Sequence, residues 1–205
     1  ALGRSPCDMA NVHTIVTDYS ESSLIDAAHL LSNRGENIER LVITNGILSG
    51  EGFGPERKVS DLNAAAWQHV MQVNALTPML ALSAFWPMIR TSAQPRIAVM
   101  TARVGSLSDN ALGGWYSYRA SKAALNMMLK CAAIEAQRVN KNAKLIAYHP
   151  GTVDSPLSKP FQRSVPEGQL LTPKFSAERL DELMSELQAD GKLSYVDWAG
   201  KPIEW

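Results

Sequence analysis

Short apolar segments alternate along the chain with longer segments of helical periodicity, and this order is typical of a parallel α/β sheet. The central apolar segments carry almost no polar residues on either face, as expected of strands that helices cover on both sides. We predict strands at residues 12–16, 41–44, 97–101 and 145–148, with a candidate last strand at 193–196.

Apolar residues at helical spacing indicate four helical regions between these strands. Glycine, serine and other loop-forming residues are concentrated at residues 45–60 and 102–114. Residues 154–173 contain four prolines and little periodicity, which fits either a mobile flap that closes over a substrate or a surface loop. The predicted helices are residues 20–35, 62–88 with a break or kink at Pro78, 115–139 and 176–188.

Composition and charge narrow the class of protein. The chain has 205 residues, of which 45% are hydrophobic and 20% charged, and this fits a single globular domain over residues 1–205. Twenty basic and twenty acidic residues balance, so we expect no nucleic-acid or membrane partner. Cys7 and Cys131 indicate a reducing, cytoplasmic setting, and neither a signal peptide, a membrane span nor a metal site is predicted.

Tyr118 and Lys122 stand four residues apart on a predicted helix, so their side chains project from nearly the same face. An ammonium ~4 Å from a phenol favours the phenolate by roughly 4 kcal/mol at an effective dielectric of ~20. Such a phenol exchanges a proton with a carbonyl or an alcohol more readily near pH 7. Without further context, a pair of this kind is more often a surface contact.

The context favours a site. This helix follows a strand and a glycine-bearing loop, so its first turns are expected at the carboxyl end of the sheet, where open α/β sheets bind ligands. Small or loop-forming residues also follow two other strands, in the segments Thr44-Asn45-Gly46 and His149-Pro150-Gly151-Thr152. Such residues allow a ligand to approach the backbone closely.

Together these motifs resemble the short-chain dehydrogenase/reductase family. GGWYSYRASKAALNMM contains its Tyr-x-x-x-Lys signature, QVNAL its structural asparagine at Asn74, and HPGTVDSPL its Pro-Gly motif. LVITNGIL stands at its Asn-Asn-Ala-Gly position, and Asp18 in VTDYS matches its acidic residue at the adenine. The loop before Tyr118 and the C-terminal DWAGKPIEW are similar to the C-factor and sniffer-type carbonyl reductase branch.

The resemblance implies an NADP-dependent oxidoreductase that transfers hydride between a nicotinamide and a small carbonyl or alcohol substrate. Tyr118 would be the general acid/base, Lys122 would bind the nicotinamide ribose and lower the pKa of the tyrosine, and Asn74 would bend its helix and hold a water. Arg4 is interpreted either as a partner of a 2′-phosphate, which favours NADP over NAD, or as a solvated residue. The implied cofactor contacts are Arg4, Asp18, Tyr19, Asn45, Gly46, Tyr118, Lys122, Pro150, Gly151 and Val153.

One departure from the family pattern concerns the serine that polarises the substrate carbonyl. Ala102 stands at its place and has no hydroxyl to donate. Ser106 lies twelve residues before Tyr118 and could reach the site from the loop. We therefore hypothesise that Ser106 takes over this role in catalysis.

A second departure is the lack of the glycine-rich turn that cradles a pyrophosphate in this family. The expected fold is a Rossmann-like doubly wound parallel sheet in a three-layer α/β/α arrangement, missing the first strand and helix. The strand at residues 41–44 then becomes an open edge, which is an aggregation hazard. We expect the sequence to be a fragment of a longer product, or to cover that edge by dimerising or repacking.

Two functions remain open from sequence. The leading one is the oxidoreductase, with a homodimer or homotetramer possible and residues 115–139 as the candidate interface. The alternative is a catalytically silent or truncated relative that acts as a binding or signalling module. The missing serine and glycine-rich turn support this alternative, whereas the retained Tyr118, Lys122 and Asn74 oppose it.

Overall fold

The strands are short, parallel and divided between two sheets. The structure is a computed structural model. It describes residues 1–205, except for the side chain of Ser164. The first sheet pairs β1 (Leu2–Gly3) with β2 (Ile15–Val16), and the second has the order β3-β4-β5-β6. Its strands are β3 (Arg40–Ile43), β4 (Arg96–Met100), β5 (Lys144–His149) and β6 (Ser194–Asp197).

Helices follow most strands, and their first turns carry local signals. The hydroxyl of Ser20 accepts a hydrogen bond from the Ser23 N–H at the start of the first helix, and Thr172 does the same for Phe175 in the last. The α-helices are α1 (Glu21–Asn33), α2 (Ala64–Met71), α3 (Thr77–Thr91), α4 (Tyr116–Val139) and α5 (Pro173–Glu186). Among the residues that the structure describes, no helix combines the length and apolar character needed to cross a membrane.

The larger sheet is packed on both faces. Alternate residues of β4 and β5, such as Ile97 and Leu145, face a core shared with α1, α3 and α4. The residues between them, such as Ala98 and Ile146, pack against α5 through Leu180. Successive side chains of a strand point to opposite faces, so both faces of this sheet are apolar and each is covered by a layer of helices. The predicted Rossmann-like three-layer fold is therefore confirmed.

A gap separates the two sheets. β3 pairs with β4 on one side, and within the described chain no strand pairs with its other edge. A cavity of about 390 Å³ lies there, lined by parts of β1, β2, β3, α1 and α3. This is where the family strand order would place the first strand, so the predicted open edge is present.

Several element boundaries differ from the sequence prediction. β1 was not predicted, because two residues are too few to show periodicity. The break expected at Pro78 is a π-helical turn, Gln72–Leu76, which joins α2 to α3 just before that proline. The predicted flap contains a 3₁₀ turn at Lys159–Ser164 and a bridge between Val153 and Leu171. The flap region therefore contains local structure of its own.

Candidate active site

A cavity of about 460 Å³ lies at the carboxyl ends of β3, β4 and β5, beside the first turns of α4. Its position agrees with the edge at which parallel α/β sheets bind ligands. The three segments that the sequence singled out meet here, although they are far apart along the chain. The sequence-predicted residues that line it are Asn45, Gly46, Tyr118, Lys122, Pro150, Gly151 and Val153.

Tyr118 and Lys122 form the buried polar part of this cavity. Their exposed fractions are 9% and 2%. The ammonium nitrogen of Lys122 lies 5.8 Å from the centroid of the Tyr118 ring and donates a hydrogen bond to the carbonyl of Met100 at 2.9 Å. The helical spacing therefore brings both groups to one wall, with the lysine anchored on the end of β4.

The acid–base properties of this pair differ from the expectation. Burial raises the pKa of Tyr118 to about 12 and lowers the pKa of Lys122 to about 8. A close ammonium would stabilise the phenolate, but in this structure desolvation of the phenol is the stronger effect. At neutral pH the Tyr118 phenol therefore keeps its proton. The sequence-based expectation that the pKa of Tyr118 is lowered is wrong for this structure.

Asn74 connects three elements around the site. It is fully buried in the π-helical turn, where its side-chain oxygen accepts from the Ile47 N–H at 2.7 Å. Its amide donates to the Ile47 carbonyl at 2.8 Å and to the Ser121 hydroxyl at 3.0 Å. These bonds fix the loop after β3 and join it to α4, one residue before Lys122.

Two glycines line the cavity, and their surroundings differ. A Cβ on Gly46 would lie 3.6 Å from the ammonium nitrogen of Lys122 and 3.7 Å from the side-chain oxygen of Asn74. Gly151 has φ +76°, and a Cβ there would lie 2.7 Å from the Trp198 ring and 2.8 Å from Leu171. Gly151 is thus required by both its conformation and the space available.

Other predicted cofactor contacts lie outside this cavity. Arg4 is exposed beyond β1, and it does not line either of the two cavities described above. Asp18 accepts hydrogen bonds from the Ser20 N–H and the Ser23 hydroxyl at the start of α1, and these bonds lower its pKa to about 2. Tyr19 lines the gap between the sheets, which shares Asn45 with the main cavity.

Ser106 does not reach the cavity in this structure. Its buried hydroxyl accepts a hydrogen bond from the Asp109 N–H at 3.1 Å and shares another with Ser108 at 3.2 Å. Ala102 lines the cavity instead, at the end of β4. The interpretation of Ser106 as the carbonyl-polarising donor thus lacks geometric support, because the short 3₁₀ turn at Arg103–Gly105 directs its hydroxyl into the loop.

An apolar wall near Tyr118 was missed by the sequence analysis. The ring of Trp115 lies 6.2 Å from that of Tyr118 and 5.2 Å from that of Phe161. These residues occupy loops or loop–helix junctions without periodicity, so no sequence signal grouped them. The wall consists of Leu48, Ala102, Val104, Trp115, Leu157, Phe161 and Val165.

His149 also lines the cavity, at the carboxyl end of β5. Its Nδ1 atom is buried and has no hydrogen-bond partner among the described residues. Burial lowers the pKa of its imidazole to about 4, so the ring is neutral at physiological pH. In the sequence, His149 stands directly before the Pro-Gly turn.

Comparison with known proteins finds relatives over most of the chain. The family model for short chain dehydrogenases matches residues 6–165. The 1-hydroxy-2-glutathionyl-2-methyl-3-butene dehydrogenase of Rhodococcus sp. (strain AD45) is 28% identical, with 91% of this chain and 76% of that protein covered. The C-signal protein of Myxococcus xanthus is 29% identical over 72% of this chain and 83% of its own length.

Solved structures support the fold independently. NADPH-bound carbonyl reductase from chicken fatty liver superposes with a TM-score of 0.82 at 23% identity, covering 95% of this chain and 78% of that one. The family match covers most of the chain, including the segments that carry Asn74, Tyr118 and Lys122. On this basis the chain is a member of the short chain dehydrogenase family.

Proposed function

We propose that this protein is an NADP-dependent oxidoreductase that reduces a small carbonyl compound. The observation that carries the proposal is the buried, protonated Tyr118 phenol beside Lys122 in a cavity at the carboxyl edge of the sheet. A phenol that keeps its proton at neutral pH can protonate a carbonyl oxygen as hydride reaches the carbon. The family membership and the oxidoreductase relatives support the same reaction class.

The residues of the cavity fit the nicotinamide end of such a cofactor. Gly46 leaves open the space beside Lys122 that a Cβ would enter, and the lysine has donors free for ribose hydroxyls. The backbone of Asn45 and of the segment from Pro150 to Val153 would complete this side. When bound, the reduced cofactor would supply the hydride.

The chain's own residues would then handle the proton and the positioning. Tyr118 would donate its proton to the carbonyl oxygen, which leaves a phenolate. Lys122, with a pKa of about 8, is mostly charged at pH 7 and would stabilise that anion. Asn74 would keep the loop and α4 in register, so that these groups meet the substrate in one geometry.

The preference for NADP, the cellular setting and the assembly state belong to the same proposal. NADP is favoured by the NADP(H)-bound solved relatives and by Arg4, whose exposed side chain is available for a 2′-phosphate. Both cysteines are free thiols, which fits a reducing cytoplasm. On α4, Met127 and Ile134 are exposed and are candidate contacts in a homodimer or homotetramer.

Cofactor binding tests the proposal without knowledge of the substrate. We expect NADPH to bind saturably when the chain is titrated and the fluorescence of the reduced nicotinamide is followed. Lys122→Met is expected to weaken binding by at least about tenfold, since it removes a charged donor from the site. Lys141→Met, at an exposed position away from the cavity, is the matched control. Absence of wild-type binding up to millimolar NADPH would favour the silent relative instead.

A further inference from the structure

A buried acidic side chain from a distant loop binds the first turn of α4. Glu56 lies between β3 and α2, and only 6% of its surface is exposed. One carboxylate oxygen accepts a hydrogen bond from the Ser117 N–H at 3.1 Å, and the other accepts one from the Ser117 hydroxyl. The backbone carbonyl of Glu56 also accepts from the Trp115 N–H at 2.6 Å. Glu56 thus supplies three acceptors to the beginning of this helix.

α4 lacks a cap from its own sequence. The residue before its first turn is Trp115, whose backbone is left-handed with φ 53° and whose side chain makes no capping bond. The first N–H groups of a helix have no partners within the helix and carry a partial positive charge. A carboxylate is the acceptor best suited to both conditions, and no ion pair involving Glu56 occurs among the described residues.

The capped turn carries the residues that form the cavity. Ser117 directly precedes Tyr118, and the Trp115 ring contacts both Tyr118 and Phe161. A left-handed conformation is uncommon outside glycine and persists only where neighbouring contacts hold it. Glu56 is not among the residues that line the cavity, so it acts on the site through the loop and the helix that its hydrogen bonds join.

We propose that Glu56 is a positioning residue, which caps α4 from the opposite loop and thereby fixes the Tyr118 phenol and the Trp115 ring for the reaction. This inference rests on the proposed function for its catalytic consequence. The loop is then held at two points, by Asn74 at Ile47 and by α4 at Glu56. Loop and helix together keep the cavity wall in one arrangement.

The test compares Glu56→Ala and Glu56→Gln with Glu51→Ala, which removes an exposed carboxylate of the same loop. Hydrogen exchange at the amides of residues 115–118 is measured without cofactor or substrate, and NADPH-dependent carbonyl reduction is measured in parallel. For Glu56→Ala we expect at least tenfold faster exchange at Ser117 and a kcat lowered at least tenfold, with KM changed less than threefold. Glu56→Gln should recover most of both, because its amide oxygen still accepts the Ser117 N–H.

Each outcome addresses a different part of the account. Unchanged exchange at Ser117 in Glu56→Ala overturns the inference whatever the activity. Faster exchange with a wild-type kcat overturns the positioning role, because the cap then does not act on Tyr118. If Glu56→Ala does not fold, Glu56→Gln is compared with Glu51→Ala alone. Exchange at Ser117 and a kcat that are the same in these two variants would support a cap made by hydrogen bonds. A Glu56→Gln variant that also fails to fold would contradict it. If the wild type shows no turnover but exchange at Ser117 is still faster in Glu56→Ala, the proposed function is wrong and the cap on α4 is supported.

Discussion

Burial determines the chemistry of the two central side chains. Tyr118 and Lys122 are both desolvated, and each pKa is therefore shifted toward the neutral form, although Lys122 stays mostly charged at pH 7. Their spacing could be predicted from the sequence, because four residues are about one helical turn. The direction of the Tyr118 shift could not, because the depth of the cavity and the bond from Lys122 to Met100 depend on tertiary contacts.

The buried lysine should reduce stability in a pH-dependent manner. Its pKa is about 8 in the folded chain against an ordinary 10.5, so the unfolded chain binds more protons between these values and stability rises with pH there. Below pH 8 the full cost applies, about 3 kcal/mol. Lys122→Met should remove this destabilisation, but it also removes the hydrogen bond to the Met100 carbonyl, which contributes about 1 kcal/mol.

We therefore expect Lys122→Met to be more stable than wild type at pH 7 by about 2 kcal/mol, and no more stable near pH 10.5. Urea denaturation at the two pH values measures this difference. Lys141→Met serves as the control, because it makes the same substitution at an exposed position. An equal gain in the free energy of unfolding for Lys122→Met at both pH values would show that desolvation of the Lys122 ammonium does not destabilise the folded protein.

At the scale of elements, the helices and central strands could be predicted with errors mainly at their ends. Apolar periodicity identifies α4 and the strand pair β4–β5, because a continuous core selects that pattern. Loop geometry is different. Ser106 faces Asp109 because of a three-residue turn, and Glu56 meets Ser117 across 61 positions of sequence. Neither contact leaves a local pattern for sequence analysis to detect.

The open edge of β3 should promote self-association. Its backbone is unpaired on one side in the described chain, and Val42 on this strand is 43% exposed. A lysine on an edge strand opposes pairing with another chain, because its charge would have to be desolvated. We expect Val42→Lys to lower the apparent mass of concentrated samples towards that of the monomer, as measured by light scattering after size exclusion.

The control for this experiment is Val59→Lys, which places the same charge on an exposed valine in the 3₁₀ turn at Val59–Asp61, an element outside the β3 edge. Equal masses for the two variants would mean that the β3 edge does not drive association. A monomeric wild type at all concentrations would show that the edge is not available for pairing in solution.

For the molecule as a whole, the sequence predicted the three-layer fold and the meeting of three segments at one edge of the sheet. Thr44, Lys122 and Pro150 line the same cavity because parallel strands place their carboxyl ends together. The apolar wall around Trp115 and Phe161 could not be predicted, because it forms only when residues from several loops pack onto α4. The fold and the placement of Tyr118 and Lys122 on one wall could thus be predicted from the sequence pattern, whereas the shape of the cavity requires the structure.

The proposed proton transfer from Tyr118 is tested most directly by removing its hydroxyl group. NADPH-dependent reduction of a panel of apolar aldehydes and ketones is compared between wild type, Tyr118→Phe and Tyr116→Phe, a control that removes a 38% exposed phenol from the same turn. We predict that Tyr118→Phe loses at least about 100-fold in kcat while NADPH still binds, and that Tyr116→Phe behaves as wild type. A kcat of Tyr118→Phe equal to that of Tyr116→Phe would contradict the proposed role of Tyr118.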